Sequence, residues 1–184
     1  MTTPRAYEPG PETSCESQPS PTTVRSVEVA EFTAFYKDDV HALGVFLRSL
    51  GANATVATDI AADVMGEAYH QWSSIRMPRT WVRTVARRKY LRALFAVDLS
   101  GEVSDAVEAD HGRDIADSVA PHVAACGLLA RLPLRQRQVM AWHLDGYTPT
   151  ETAQELQISP GAVRSSLAAA RQALGDLLRE GTEQ

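Results

Sequence analysis

The sequence has little of what builds crosslinked, membrane-spanning or metal-dependent proteins. Its two cysteines, Cys15 and Cys126, are too few and too far apart for a disulfide scaffold or a metal framework. They are expected to be reduced thiols in a cytoplasmic protein. No apolar run approaches the ~20 residues that a membrane span needs, so no membrane partner is expected. The N-terminus lacks the basic start and apolar core of a secretion signal. His41, His70, His111, His122 and His143 form no HExxH or similar ligand spacing, and neither a P-loop nor a nucleophile elbow occurs. These absences argue against an enzyme and lead us to expect no cofactor and no metal. Alternating β-branched residues are scarce, and Gly and Pro fall mostly outside the periodic runs. The expected fold class is all-α.

Acid outweighs base, with a net charge of −5, which by itself disfavours a nucleic-acid partner. The distribution reverses that inference. Residues 76–92 carry Arg76, Arg79, Arg83, Arg87, Arg88, Lys89 and Arg92 with no acid. Residues 98–117 carry Asp98, Glu102, Asp105, Glu108, Asp110, Asp114 and Asp117 against Arg113 alone. The pattern is a basic helix, an acidic connector and a near-neutral C-terminal segment.

Residues 1–27 are rich in Pro, Ser, Thr and Glu and poor in large apolar residues, so a disordered tail is expected. Residues 28–97 read as a first helical domain. Its first helix presents Phe32, Phe35, Tyr36, Val40, Leu43 and Leu47 and ends at Gly51. Thr55 or Thr58 is expected to cap a second helix, which buries Ile60, Val64, Ala68, Tyr69 and Trp72. A short loop over Ser73–Pro78 precedes a basic third helix lined by Trp81, Val85, Leu91 and Leu94. Residues 98–122 read as a flexible acidic linker, and residues 123–184 as a second small helical domain.

That second domain is the informative part. Thr148 and Glu151 have capping-box spacing, with Pro149 between them at the first helical position. Ser159 followed by Pro160 repeats the pattern, with only Gln157 and Ile158 between Leu156 and the new cap. Gln157 falls where Gly would adopt a left-handed turn most cheaply, at a cost of ~1 kcal/mol. Helices joined so tightly cross steeply, as in a helix-turn-helix. Val163, Leu167, Ala170, Leu174 and Leu177 give the last helix one apolar stripe. Its outward residues are Ser159, Gly161, Ala162, Arg164, Ser165 and Ala168, with Arg171 further on. Short side chains let a helix approach base edges, and Arg can bond guanine in bidentate fashion. On the basic helix, Trp72 and Trp81 flank the run SSIRMPR, and arginines beside aromatic rings are suited to single-stranded nucleic acid. A solvated outer face is the alternative there, and a plain helical hairpin is the alternative for the C-terminal domain.

In this order the parts resemble the extracytoplasmic-function group of sigma factors in the sigma-70 family, over roughly Glu31–Leu178. Leu132-Pro133, Arg135-Gln136-Arg137, Gly146-Tyr147-Thr148, Glu151-Thr152-Ala153 and Ile158 through Ser165 resemble the family's fourth region. Ala57 through Val64 and Arg79 through Arg87 resemble helices of its second region. The resemblance implies an alternative sigma factor that binds core RNA polymerase and directs promoter-specific initiation. Asp59, Asp63 and Glu67 would meet the clamp helices of the polymerase largest subunit, and the fourth region its flap. Ser73, Ser74, Ile75, Arg76 and Met77 would capture a base of the −10 element, and Arg79, Arg83 and Arg87 would track phosphates of the opening strand. Ser159, Gly161, Ala162, Arg164, Ser165, Ala168 and Arg171 would read the −35 element. An anti-sigma factor is a further implied partner. Ser166 through Ala170 lacks the Arg or Lys such proteins usually carry there. Two other readings stay open: a stand-alone helix-turn-helix regulator, and a degenerate sigma-like protein acting through protein contacts alone.

Overall fold

The computed structural model describes residues 21–100 and 120–182. The tail up to residue 20 and residues 101–119 of the acidic connector lie outside the described residues. Seven α-helices and one 3-10 turn, with no strand, make up the described residues. They are α1 (Pro21–Ser49), α2 (Ala54–His70), the turn Trp72–Ser74, α3 (Pro78–Ser100), α4 (Ala120–Ala130), α5 (Leu134–Leu144), α6 (Pro149–Leu156) and α7 (Pro160–Thr182). The all-α expectation holds. No described helix is long and apolar enough to cross a membrane.

Local chemistry sets most helix ends. α1 starts at Pro21, ahead of the boundary at residue 28, because a proline that lacks an N–H suits a first helical position. It ends before Gly51, whose φ of 104° turns the chain. The cap of α2 is Asn53, whose side chain accepts from the Val56 amide at 2.8 Å. The expected Thr58 lies inside the helix, its hydroxyl donating back to the Ala54 carbonyl. The capping box on α6 is complete: Thr148 accepts from the Glu151 amide, and Glu151 accepts from the Thr148 amide at 2.8 Å. Ser159 accepts from the Ala162 amide at 3.1 Å. Between these caps Gln157 takes the left-handed conformation, φ 54° and ψ 49°, as its turn position requires.

The N-terminal half (α1–α3) and the C-terminal half (α4–α7) share one buried core, and α1 packs against α4 and α5 as well as α2 and α3. Phe46 of α1 meets the fully buried Trp142 of α5 edge to face, with ring centroids 5.4 Å apart. Arg137 of α5 donates to the Leu50 carbonyl at 3.2 Å, lying in space that any side chain at Gly51 would occupy. This direct contact between the halves adds apolar burial that a charged tether cannot supply.

α3 differs in register from the sequence reading. Val82, Arg83, Ala86 and Tyr90 are its buried residues, whereas Trp81, Val85, Leu91 and Leu94 are only half-buried. Assigning the core face by hydropathy alone excluded Arg83 and shifted the face by one position. On α7 the expected stripe is observed: Val163, Leu167 and Ala170 are buried, and Leu174 packs against the same core.

Trp142→Ala should destabilise the fold by about 3–5 kcal/mol, read as a lower urea midpoint by circular dichroism. Gln157→Gly should raise stability by about 1 kcal/mol in the same assay, because it relieves the left-handed strain without removing a buried contact.

Candidate nucleic-acid interface

The helix-turn-helix presents α7 as the sequence predicts. Ala153, Leu156, Val163 and Leu167 are buried between α6 and its neighbours, which fixes the second helix against the first. Ser159, Gly161, Ala162, Arg164, Ser165, Ala168 and Arg171 are all exposed. Arg164 therefore projects from a surface of short side chains. Arg171, further along α7, bonds His143 Nε2 at 3.0 Å, which ties that part of the helix to α5. Glu151 is held below the usual carboxylate range by its bonds to the Thr148 hydroxyl and amide. Its contribution to the cap is therefore complete at neutral pH and is lost as pH falls through that lowered value.

The loop before α3 is similarly open. Ser73, Ser74, Arg76 and Met77 are exposed, while Ile75 packs against the core. Trp72 does not stand free as a stacking platform. It lies 5.3 Å from Phe32 and 5.1 Å from Phe35, ring to ring, and Trp81 also packs against the core. On α2, Asp59 and Asp63 are exposed and Glu67 is half-buried. Lys89 of α3 bonds both Asp63 and Glu67, the latter at 2.6 Å, and these bonds raise its pKa.

The basic residues of α3 divide between two environments. Arg79, Thr80, Arg83, Thr84 and Arg87 share one face, and that face is turned to the C-terminal half. Arg79 donates to the Asp145 backbone carbonyl at 2.8 Å, while its side chain stays 56% exposed. Thr80 and the Tyr147 hydroxyl lie 3.1 Å apart. Thr84 donates to Glu155 at 2.5 Å. Arg88 and Arg92 face solvent.

Arg83 is the centre of this contact. It has no exposed surface, and it bonds Asp39 of α1 and both carboxylate oxygens of Asp145, at 2.8 and 3.2 Å. Burial pulls its pKa down, but the bonds to Asp145 and Asp39 outweigh that, so the net shift is upward and the guanidinium stays charged. Arg87 is the contrast. Burial, then Arg88 and Arg135, lowers its pKa, and its Nε has no hydrogen-bond partner. The same contact surface thus holds one satisfied arginine and one crowded by like charge.

Asp39, Asp145, Tyr147 and Glu155 escaped the sequence reading as site residues. Asp145-Gly146-Tyr147 reads locally as a loop, and Asp39 as one acid among the charges of α1; only the tertiary fold brings them to Arg83. Among the described residues no cluster could hold a metal ion.

Residues 127–174 match the sequence profile of the family described as Sigma-70, region 4. The match runs from α4 into α7 and contains the whole helix-turn-helix. No curated protein matches the sequence. Two solved structures are similar in fold across both halves. The sigma factor RpoE from Bartonella quintana, solved with the anti-sigma factor NepR, gives a TM-score of 0.64 at 20% identity over 81% of this chain and 97% of its own. CnrH, solved with the cytosolic domain of CnrY, gives 0.59 at 22% identity over 81% of this chain and 88% of its own.

Arg83→Leu should cost about 3–5 kcal/mol, because it leaves the buried carboxylates of Asp39 and Asp145 with only the exposed Arg79 as a cation. Asp145→Asn should cost less, since Asp39 still neutralises Arg83. Urea titrations that rank the two variants the other way would refute the central role given to Arg83.

Proposed function

We propose that this chain, a sigma-70 region 4 built into a fold shared with sigma factors, is an alternative sigma factor. In this reading it binds core RNA polymerase and directs promoter-specific initiation. The observation that carries the reading is the face of α7. It is a capped, exposed surface of Ser159, Gly161, Ala162, Arg164, Ser165 and Ala168, with Arg as the only long side chain. Such a surface can enter a major groove closely and read one or two bases. Its weak charge is consistent with a protein held at the promoter by a larger partner instead of by its own phosphate contacts.

The other roles follow the same reading. Asp59 is the exposed acid on α2 free to meet polymerase, with Asp63 and Glu67 positioned beside it by Lys89. The exposed side chains of Ser73, Ser74, Arg76 and Met77 form the loop for an unstacked −10 base, with Ile75 as its anchor to the core. Arg79, Arg83 and Arg87 lie in line along α3; Arg79 is open to a strand of phosphates, whereas Arg83 is buried against Asp39 and Asp145. A regulatory protein partner of the anti-sigma class fits the proposal, as the structurally similar RpoE was solved with one. The similarity to sigma factors over both halves favours this role above a stand-alone regulator with an unrelated first domain.

Run-off transcription with purified core polymerase and a promoter library tests the proposal. The expected result is initiation from a subset of promoters only when the protein is present. Within that assay Arg164→Ala should weaken transcription from the preferred promoters by about 1–3 kcal/mol and relax selectivity at one or two −35 positions. Equal loss on every −35 variant would remove base reading from Arg164, and polymerase binding without any transcription would favour a role through protein contacts alone.

A further inference from the structure

Arg83 shows what satisfies a buried guanidinium on α3, and one turn further along the same helix that condition is not met. Arg87 has a buried Nε without a hydrogen-bond partner, and Arg88 and Arg135 crowd it with like charge. The carboxylate that acts on it is Glu155, which already accepts from the Thr84 hydroxyl at 2.5 Å. Three guanidinium charges thus share a single carboxylate. Arg88 and Arg135 are exposed, so the cluster faces solvent on one side.

The start of α5 carries an imbalance of the same sign. Its cap is Pro133, which offers no side-chain hydrogen bond, and its first turn contains no acid. The Arg137 amide bonds the Pro133 carbonyl at 3.0 Å, and the amides of Leu134, Arg135 and Gln136 before it have no helical acceptor. A helix N-terminus bears roughly half a positive charge and favours acids, yet Arg135 and Arg137 stand in this one. The turn lies beside α3, because the Arg137 guanidinium and the Tyr90 hydroxyl both border Gly51. Arg137 directs its donors to the Leu50 and Leu132 carbonyls, both at 3.2 Å, so Arg135 is the cation of this turn that turns to Arg87.

We propose that Arg87, Arg88 and Arg135, together with the uncapped start of α5, form a binding site for a small phosphate-bearing dianion. A phosphate group brings about −1.5 to −2 charge at neutral pH and three strong acceptor oxygens. Arginine forks bond such oxygens in pairs, and the amides at a helix start point donors at an anion. One dianion between α3 and α5 therefore relieves the repulsion among the arginines and neutralises the start of α5 together. Arg83 needs no such ligand, because Asp39 and Asp145 already hold it. The site draws on both helices, so a bound ligand stabilises their packing by mass action. It is independent of the sigma-factor reading and would stand if that reading failed.

Isothermal titration of the full chain with inorganic phosphate, adenosine diphosphate and single-stranded oligodeoxythymidine, at matched ionic strength, tests the site. We expect saturable binding of phosphate and of the diphosphate at one ligand per chain. Arg135→Gln and Arg88→Gln alter exposed side chains and leave the fold intact, and each should weaken binding about tenfold or more. Arg92→Gln, on α3 but outside the cluster, should leave it unchanged. Equal affinity for phosphate and diphosphate would mark a simple anion as the ligand, and tighter binding of the diphosphate would mark a nucleotide; either bears the site out. In urea titrations phosphate should raise the midpoint of the parent more than that of Arg135→Gln, which separates binding from the general salting effect of the ion. No saturable binding of either small ligand would overturn the site, as would an Arg135→Gln variant that binds like the parent. Binding of the oligonucleotide alone would also overturn it and leave these arginines to nucleic acid.

Discussion

A guanidinium cannot be buried without carboxylates to meet it, and the whole arrangement turns on that constraint at Arg83. The residue sits midway in the covered face of α3 with no exposed surface. Its two counter-charges come from different places: Asp39 from the first helix and Asp145 from the end of α5. One arginine therefore specifies the angle between α1 and α3 and the seat of the C-terminal half on both. A hydrophobic residue at the same point could fill the volume but would set no orientation. The directional bonds add a geometric requirement that apolar contact between Phe46 and Trp142 does not impose.

The charge pattern along the chain acquires a physical meaning in this light. A run of basic residues that looks uniform in sequence is split by the helix into separate circumstances. Lys89 is neutralised by Asp63 and Glu67, Arg83 by Asp39 and Asp145, while Arg88 and Arg92 stay in water. Acids brought in from other helices thus neutralise individual cations of this run. The exposed start of α7 follows a different pattern, with Arg164 on a bed of small side chains.

Much of this was legible in the sequence, and the limits have identifiable causes. The capping box at Thr148 and Glu151, the second cap at Ser159 and the left-handed Gln157 were readable because caps and turns are determined by neighbours in the chain. The stripe on α7 was readable for the same reason. The cap of α2 was assigned to Thr55 or Thr58 instead of Asn53, an error of a few residues among several competent hydrogen-bonding side chains. The core face of α3 was misplaced because hydropathy treats arginine as surface, and only the tertiary position of two aspartates makes it interior. Trp72 was weighed as a platform for bases, yet Phe32 and Phe35 claim its ring from a helix forty residues upstream, roughly the span that local patterns cannot see. The docking of the halves was invisible for the same reason.

The Phe46–Trp142 contact also bears on how the chain acquires its structure. The rings are separated by roughly a hundred residues of sequence, and the closure entropy of so long a loop grows only logarithmically with its length. The delay is one of synthesis more than of search. On the ribosome α1 through α3 emerge and pack while the surface around Phe46 has no cover, because α5 has yet to be translated. The nascent N-terminal half thus spends the intervening seconds with an apolar patch open to chaperones or to any partner waiting for it. A protein that engages that surface co-translationally would do so without having to compete against the C-terminal half.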